Sequence, residues 1–276
     1  MANTEESAPW AGHTLVFICG LHRSGTSQLH ATLASHPDVG ALLGTDAPHD
    51  EGQHLQDVYP TARRHGGPGR FALDPRAHLT EDSPLATAAN ARRLFDQWST
   101  VWPMQRRVLI EKSPPNLVRM RFLQALFPQA RFVVIVRHPV VVALATQKLA
   151  TTFWMRRIRH TAPLDGTLRH WIAAHRILLD DLPRVRSHHL LRWEDLCADP
   201  AGRLAEIAAF AGLDPRFEPL TISDRVGEAY LERWAAVRAD RSRLRSLRRV
   251  LTDGAEVAAR FGYDLDDLGE LGPLAP

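Results

Sequence analysis

An apolar run, Leu15-Val16-Phe17-Ile18-Cys19, leads directly into Gly20-Leu21-His22-Arg23-Ser24-Gly25-Thr26-Ser27 and then into a segment with helical patterning. That order prescribes a strand, a tight loop and a helix N-terminus. Successive backbone N–H groups and the positive end of the helix dipole would then converge on one anion. The loop departs from the ATP-type pattern G-x-x-x-x-G-K-[ST] at one position. Both glycines and the hydroxyl residue Ser27 are present, but Thr26 stands where lysine would reach a β- and γ-phosphate pair. The nearest cation, Arg23, precedes the second glycine. The loop is therefore expected to hold a phosphorylated nucleotide other than ATP.

Further strands and helices alternate along the chain, which predicts an α/β fold: a central parallel sheet with helices on both faces, a three-layer sandwich like that of P-loop NTPases. Strands are expected at 14–19, 108–110, 131–136 and 188–192. Helices are expected over 26–35, 80–98, 116–127, from 139 to about 148, over 168–182 and 200–211, and within the arginine-rich segment 225–250. Residues 40–85, rich in Gly, Pro, His and Asp, read as a mostly irregular excursion of the kind that forms binding or lid segments. Residues 1–11 are expected to be disordered and 12–276 to form a single domain.

Composition narrows the classes of partner. The 276 residues are 45% hydrophobic and 24% charged, enough to bury a sizeable core. The formal net charge of +3, mostly from arginine, suits an anionic ligand but is too mild to imply nucleic acid. Two distant cysteines, Cys19 and Cys197, make neither a disulfide framework nor a Cys-x-x-Cys metal site. A reducing cytoplasm is the expected location. Neither a signal peptide nor a transmembrane segment is expected.

Two further cations fall at strand ends. Arg137 follows the strand 131–136, and Lys112 follows Val108-Leu109-Ile110-Glu111. In doubly wound sheets ligands gather at the carboxyl edge near the switch point, the edge where the first loop also opens. Lysine there can steady charge growing on a leaving oxygen. The plainer alternatives are a helix-capping or surface-paired arginine and a solvated lysine.

These blocks carry a resemblance. Residues 20–39, the run Glu111-Lys112-Ser113-Pro114, residues 126–139, and Leu191-Arg192-Trp193-Glu194-Asp195-Leu196 are similar, in order and spacing, to the conserved blocks of sulfotransferases that use 3′-phosphoadenosine 5′-phosphosulfate (PAPS). The bacterial members, and the carbohydrate and tyrosylprotein enzymes, are the nearest in type. The resemblance implies that Arg23 and the loop residues Ser24, Gly25, Thr26 and Ser27 hold the 5′-phosphosulfate. It implies that Arg137 holds the 3′-phosphate and that PAPS serves as cosubstrate without a metal. The family usually places a serine eight residues after that arginine; here the position is Ala145, with Thr146 next as a substitute. Trp193 stands where tyrosine is usual and is expected to offer a stacking surface near adenine.

A base must take the acceptor's hydroxyl proton. Many cytosolic relatives use a histidine shortly after the Lys112 position, but Pro114-Pro115 occupies that place. Other relatives use a glutamate after the first helix. Within Pro48-His49-Asp50-Glu51-Gly52-Gln53-His54 the expected base is Glu51, with His54 second. Arg156, Arg157, Arg159 and His160 read as a lid or a solvated face. Trp98, Trp102, Phe153 and Trp154 are candidates to line the acceptor pocket. The expected function is transfer of a sulfuryl group to an acceptor hydroxyl, on a carbohydrate or glycolipid first, on a phenol or peptide second. Two rivals remain open: a P-loop small-molecule kinase, and a nucleotide-binding relic without catalysis. Oligomeric state is left open.

Overall fold

The computed structural model describes residues 8–154, 163–217, 222 and 227–276. Strands β1 (Thr14–Cys19), β2 (Val39–Ala41), β3 (Val108–Lys112), β4 (Arg131–Val136) and β5 (His188–Arg192) form one parallel sheet in the order β2-β3-β1-β4-β5. Thr14 pairs with Val108 and Ile18 with Lys112 on one side of β1, and Cys19 pairs with Val134 on the other. The chain thus leaves β1 toward β2 and β3, then crosses to β4 and β5. The carboxyl end of β1 is the switch point.

Side chains alternate across the pleat and build two cores. Leu15, Phe17 and Cys19 of β1, with Phe132, Val134 and Val136 of β4, face one side. There they meet helices α2 (Ala88–Ser99), α3 (Met120–Leu126), α4 (Pro139–Trp154), α5 (Leu164–Asp181), α8 (Gly227–Ala239) and α9 (Arg241–Arg260). Val16, Ile18, Val133 and Ile135 face the other side, against α1 (Thr26–Ala34), α6 (Trp193–Ala198) and α7 (Pro200–Ala211). This is the three-layer α/β sandwich expected from the alternation.

Strands β1 and β4 lie where the apolar runs put them, and β5 lies at the expected 188–192. Three differences have local causes. The helix expected over 80–98 starts only at Ala88, where Thr87 caps it by accepting from the Asn90 N–H; Thr80–Ala86 is a run of turns. The helix expected over 116–127 is split into a 3₁₀ turn, Pro114–Val118, and α3, because Pro114 and Pro115 start a tighter turn. Strand β2, only three residues long, lay below the length at which periodicity shows. At the other end, residues 8–11 form turns and Trp10 packs edge-on to Phe127 at 5.0 Å; residues 1–7 of the segment expected to be disordered lie outside the described residues.

Candidate functional site

The loop after β1 is held by backbone geometry that a general side chain would not tolerate. Gly20 passes so close to β4 that a Cβ would sit 2.6 Å from the Ile135 carbonyl. Gly25 has φ +92, and a Cβ there would lie 2.1 Å from the Trp193 ring. Arg23 is itself left-handed, with φ +71, and its side chain points into solvent. Helix α1 opens at Thr26 with no side-chain cap and no acidic residue in its first turn. Its first N–H groups are thus left to a ligand or to water. The Ser24 hydroxyl is fully buried and has no hydrogen-bond partner. A buried orphan hydroxyl beside uncapped amides fits a cradle built for an anion's oxygens.

Lys112 ends β3 on the same edge, buried to 1% exposure. Its Nζ donates to the His49 carbonyl at 2.9 Å and lies 3.5 Å from Glu51 Oε1. His49 and Asp50 both have positive φ, 58 and 52, so the backbone here is bent back toward the lysine. Glu51 is also buried; its Oε2 accepts from Gln53 Nε2 at 2.6 Å and stands 3.8 Å from His54 Nε2. The expected base, its alternative and the expected leaving-group lysine therefore share one small cluster. Burial, together with the cations Arg63 and Lys112 and neighbouring His49, outweighs Glu51 and keeps His54 below the ordinary histidine range. His22 and His30 border the same cluster, held neutral at about 3 and about 4 by burial first and Lys112 second.

Behind the cluster is a residue that sequence reasoning passed over. Glu111 points to the opposite side of β3 from Lys112 and is completely buried. Its Oε1 accepts from the Gly52 N–H at 2.9 Å and from Ser113 Oγ at 2.5 Å; its Oε2 accepts from Asn116 Nδ2 at 2.6 Å. Trp98 Nε1 donates to the Gly52 carbonyl at 2.9 Å. Both backbone groups of Gly52 are thereby fixed, and Gly52 adjoins Glu51. A Cβ at Gly52 would collide with the Glu111 carboxylate at 2.7 Å, which is why glycine stands there. A charged residue inside an otherwise apolar strand was the available signal.

Arg137, just beyond β4, is mostly buried and donates from Nη1 to the Arg23 carbonyl at 3.0 Å, so it lies directly against the first loop. Its guanidinium sits 5.6 Å from the Trp193 ring centroid. Trp193 is 2% exposed, and its ring packs between Gly25, Arg137 and the core. The face expected to stack near adenine is covered in this structure, where the ring supports the loop from below. Thr146 is buried in α4 with its methyl facing Gly69 beside the Thr167 methyl, at 3.0 and 3.2 Å from a Cβ there. That methyl packs against the Gly69 turn. Trp98 and Trp102 are core residues whose N–H groups hold Gly52 and Ile110, so they do not line an open pocket. The side chains of Phe153 and Trp154, and residues 156–160, lie outside the described residues. Among the described residues no cluster of His, Cys, Asp and Glu has the makings of a metal site, and no helix is long and apolar enough to cross a membrane.

A parallel sheet with a phosphate-type loop at its switch point and two buried cations at neighbouring strand ends is a P-loop-like α/β architecture. The sulfotransferase family model matches residues 16–219, and the chain belongs to the sulfotransferase family. Its relatives include omega-hydroxy-beta-dihydromenaquinone-9 sulfotransferase Stf3 of Mycobacterium bovis and of Mycobacterium tuberculosis, each 29% identical over 194 residues. That match covers 67% of this chain and 49% of the relative, so the chain spans about half the length of the curated relatives it matches. Among solved structures, sulfotransferase STF9 from Mycobacterium avium superimposes with TM-score 0.57 at 17% identity, covering 95% of this chain and 79% of that one. A sulfotransferase from Alicyclobacillus acidocaldarius does so with TM-score 0.52 at 18% identity, covering 92% and 98%. At these identities the superpositions speak for the fold.

Proposed function

We propose that the protein transfers a sulfuryl group from PAPS to an acceptor hydroxyl and releases 3′-phosphoadenosine 5′-phosphate (PAP). The observation that carries this reading is the convergence at one sheet edge. The loop, Lys112 with Glu51, and Arg137 against Arg23 come together there. Glu51 takes the proton of the acceptor hydroxyl, and that oxygen attacks sulfur in line with the bond to the 5′-phosphate. As that bond breaks, Lys112, Arg23 and the amides of residues 24–27 meet the charge on the leaving oxygen. Arg137 holds the 3′-phosphate that separates PAPS from ATP. Fixed cations and backbone dipoles suffice in kind, because a sulfuryl group carries less charge than a phosphoryl group.

The acceptor reading draws on the relatives, whose name specifies an omega-hydroxyl on a dihydromenaquinone. A hydroxyl on an apolar molecule fits the excursion that carries Glu51, where Leu43 and Leu73 are 53% and 46% exposed. The carbohydrate hydroxyl favoured from sequence becomes the second arm of an acceptor screen.

Thermal stabilisation by PAP, ADP and ATP–Mg²⁺ tests the donor assignment. A saturating specific ligand at about 100 times its Kd should add roughly 2.7 kcal/mol. PAP is expected to give the largest rise in Tm. A larger rise with ATP–Mg²⁺ would replace the sulfotransferase reading with the kinase. PAP binding without sulfuryl transfer from labelled PAPS to either an apolar alcohol or a glycan would favour the relic.

A further inference from the structure

The family match ends at residue 219, yet the residues packed against Arg137 lead beyond it. Arg137 is followed by His138 and then by Pro139, which has no N–H to offer at the start of α4. The His138 N–H donates to Glu194 Oε1 at 3.0 Å, and Glu194 Oε2 accepts from the Tyr263 hydroxyl at 2.8 Å. The His138 ring is tied at both nitrogens. Nε2 donates to the Asp264 carbonyl at 2.8 Å, and Nδ1 accepts from the Val140 N–H at 3.2 Å. Arg192, at the end of β5, holds the same downstream segment through the Phe261 and Gly272 carbonyls, at 3.4 and 2.7 Å. Gly262 has φ +74 and no room for a Cβ, which would lie 2.4 Å from the Gly272 carbonyl. The turn is therefore built to pass at this distance. Glu194 is adjacent to Trp193, whose ring faces the Arg137 guanidinium.

Resting on the donor assignment above, we propose that residues 261–273 act as a strap that sets Arg137, with Glu194 and Tyr263 as positioning residues for the grip on the 3′-phosphate. The strap fixes the backbone at His138 through Glu194 and the imidazole through Asp264. It thereby determines where the preceding arginine can reach. Without the Tyr263 hydroxyl the Glu194 carboxylate is no longer held at both oxygens, so it gains freedom to rotate and the His138 N–H loses its fixed acceptor. The effect falls chiefly on the 3′-phosphate end, since these hydrogen bonds run to His138, next to Arg137, and none of them reaches residues 20–27.

The test compares PAP with AMP, which lacks the 3′-phosphate, by titration calorimetry on the full chain. Tyr263→Phe is expected to weaken PAP at least about fivefold and to leave AMP within about twofold. The KM for PAPS should rise with kcat preserved. Glu194→Gln, which keeps an acceptor for His138 and a polar partner for Tyr263, is expected to retain the wild-type PAP-to-AMP ratio; Glu194→Ala is expected to match or exceed Tyr263→Phe. A ratio of dissociation constants is not moved by a loss of folded protein, so a merely structural role predicts an unchanged ratio. Equal weakening of PAP and AMP, or no change in either, overturns the strap. Wild-type protein that binds PAP no better than AMP overturns the donor assignment itself.

Discussion

At the scale of single residues the site is a set of buried charges with few degrees of freedom. Glu51 and Lys112 lie 3.5 Å apart and both are shielded from solvent. The lysine's remaining contact is a backbone carbonyl. Glu51→Gln keeps the shape and removes the base. Turnover is expected to fall at least about 100-fold, while the PAP dissociation constant changes less than about twofold. Steady-state kinetics beside calorimetry reads both, and near-wild-type kcat would remove Glu51 from the mechanism. Lys112, Arg137 and Glu51 enter the proposed site from the sequence because each sits next to a punctuating feature: a strand end, a proline, a polar loop. The surroundings of Glu111, Trp193 and Thr146 were not legible. Whether a side chain faces a ligand or the core depends on which neighbour covers it, and those neighbours, Gly52, Gly25 and Gly69, lie between 59 and 168 residues away in sequence.

At the scale of elements, the loop between β1 and α1 and the first turn of α6 form one unit, because Trp193 fills the space that a side chain at Gly25 would need. Gly25→Ala faces two obstacles, a left-handed backbone and a blocked Cβ. Gly44→Ala faces only the first, since Gly44 has φ +65 and open space around it. The second substitution is expected to cost roughly 1–2 kcal/mol and to leave PAP binding intact. Gly25→Ala is expected to lower Tm further and to weaken PAP by more than about tenfold. Equal melting temperatures and equal affinities for the two variants would contradict the packing described. The boundaries of β1 and β4 were legible because buried parallel strands read as unbroken apolar runs. The start of α2 was obscured because Thr80–Thr87 carries helix-compatible residues that turn chemistry claims first.

At the scale of the whole molecule, buried imidazoles set the response to acid. Burial holds His22, His170 and His175 at about 3, and His30 and His138 at about 4. Above pH ~6.5 these rings are neutral in both the folded and unfolded chain and cost nothing. As pH falls below that value the unfolded chain takes up protons that the folded one refuses, so stability drops until the folded values are reached. Each ring contributes at most about 1.4 kcal/mol per pH unit in that window. Glu111 and Glu194, raised by burial, act in the opposite sense, but they are two against five. Urea denaturation is expected to show a clearly lower midpoint at pH 5.0 than at pH 7.5. His170→Phe, which replaces a ring with an unpartnered Nε2 packed on Phe71, should shrink that difference by roughly a fifth. A midpoint that is flat between the two pH values would show that these rings are not shielded as described.

The strand order has a bearing on how such a protein can diversify. Because the chain visits β2 and β3 on one flank of β1 before crossing to the other, residues 42–87 form a single uninterrupted insert beside the Lys112 strand end. On the proposed reading, donor grip is assembled from the other segments and substrate choice from this insert. Selection can therefore rewrite the clientele by lengthening or resurfacing one contiguous exon-sized passage, provided that it keeps the Glu51–Gly52 joint anchored on Glu111.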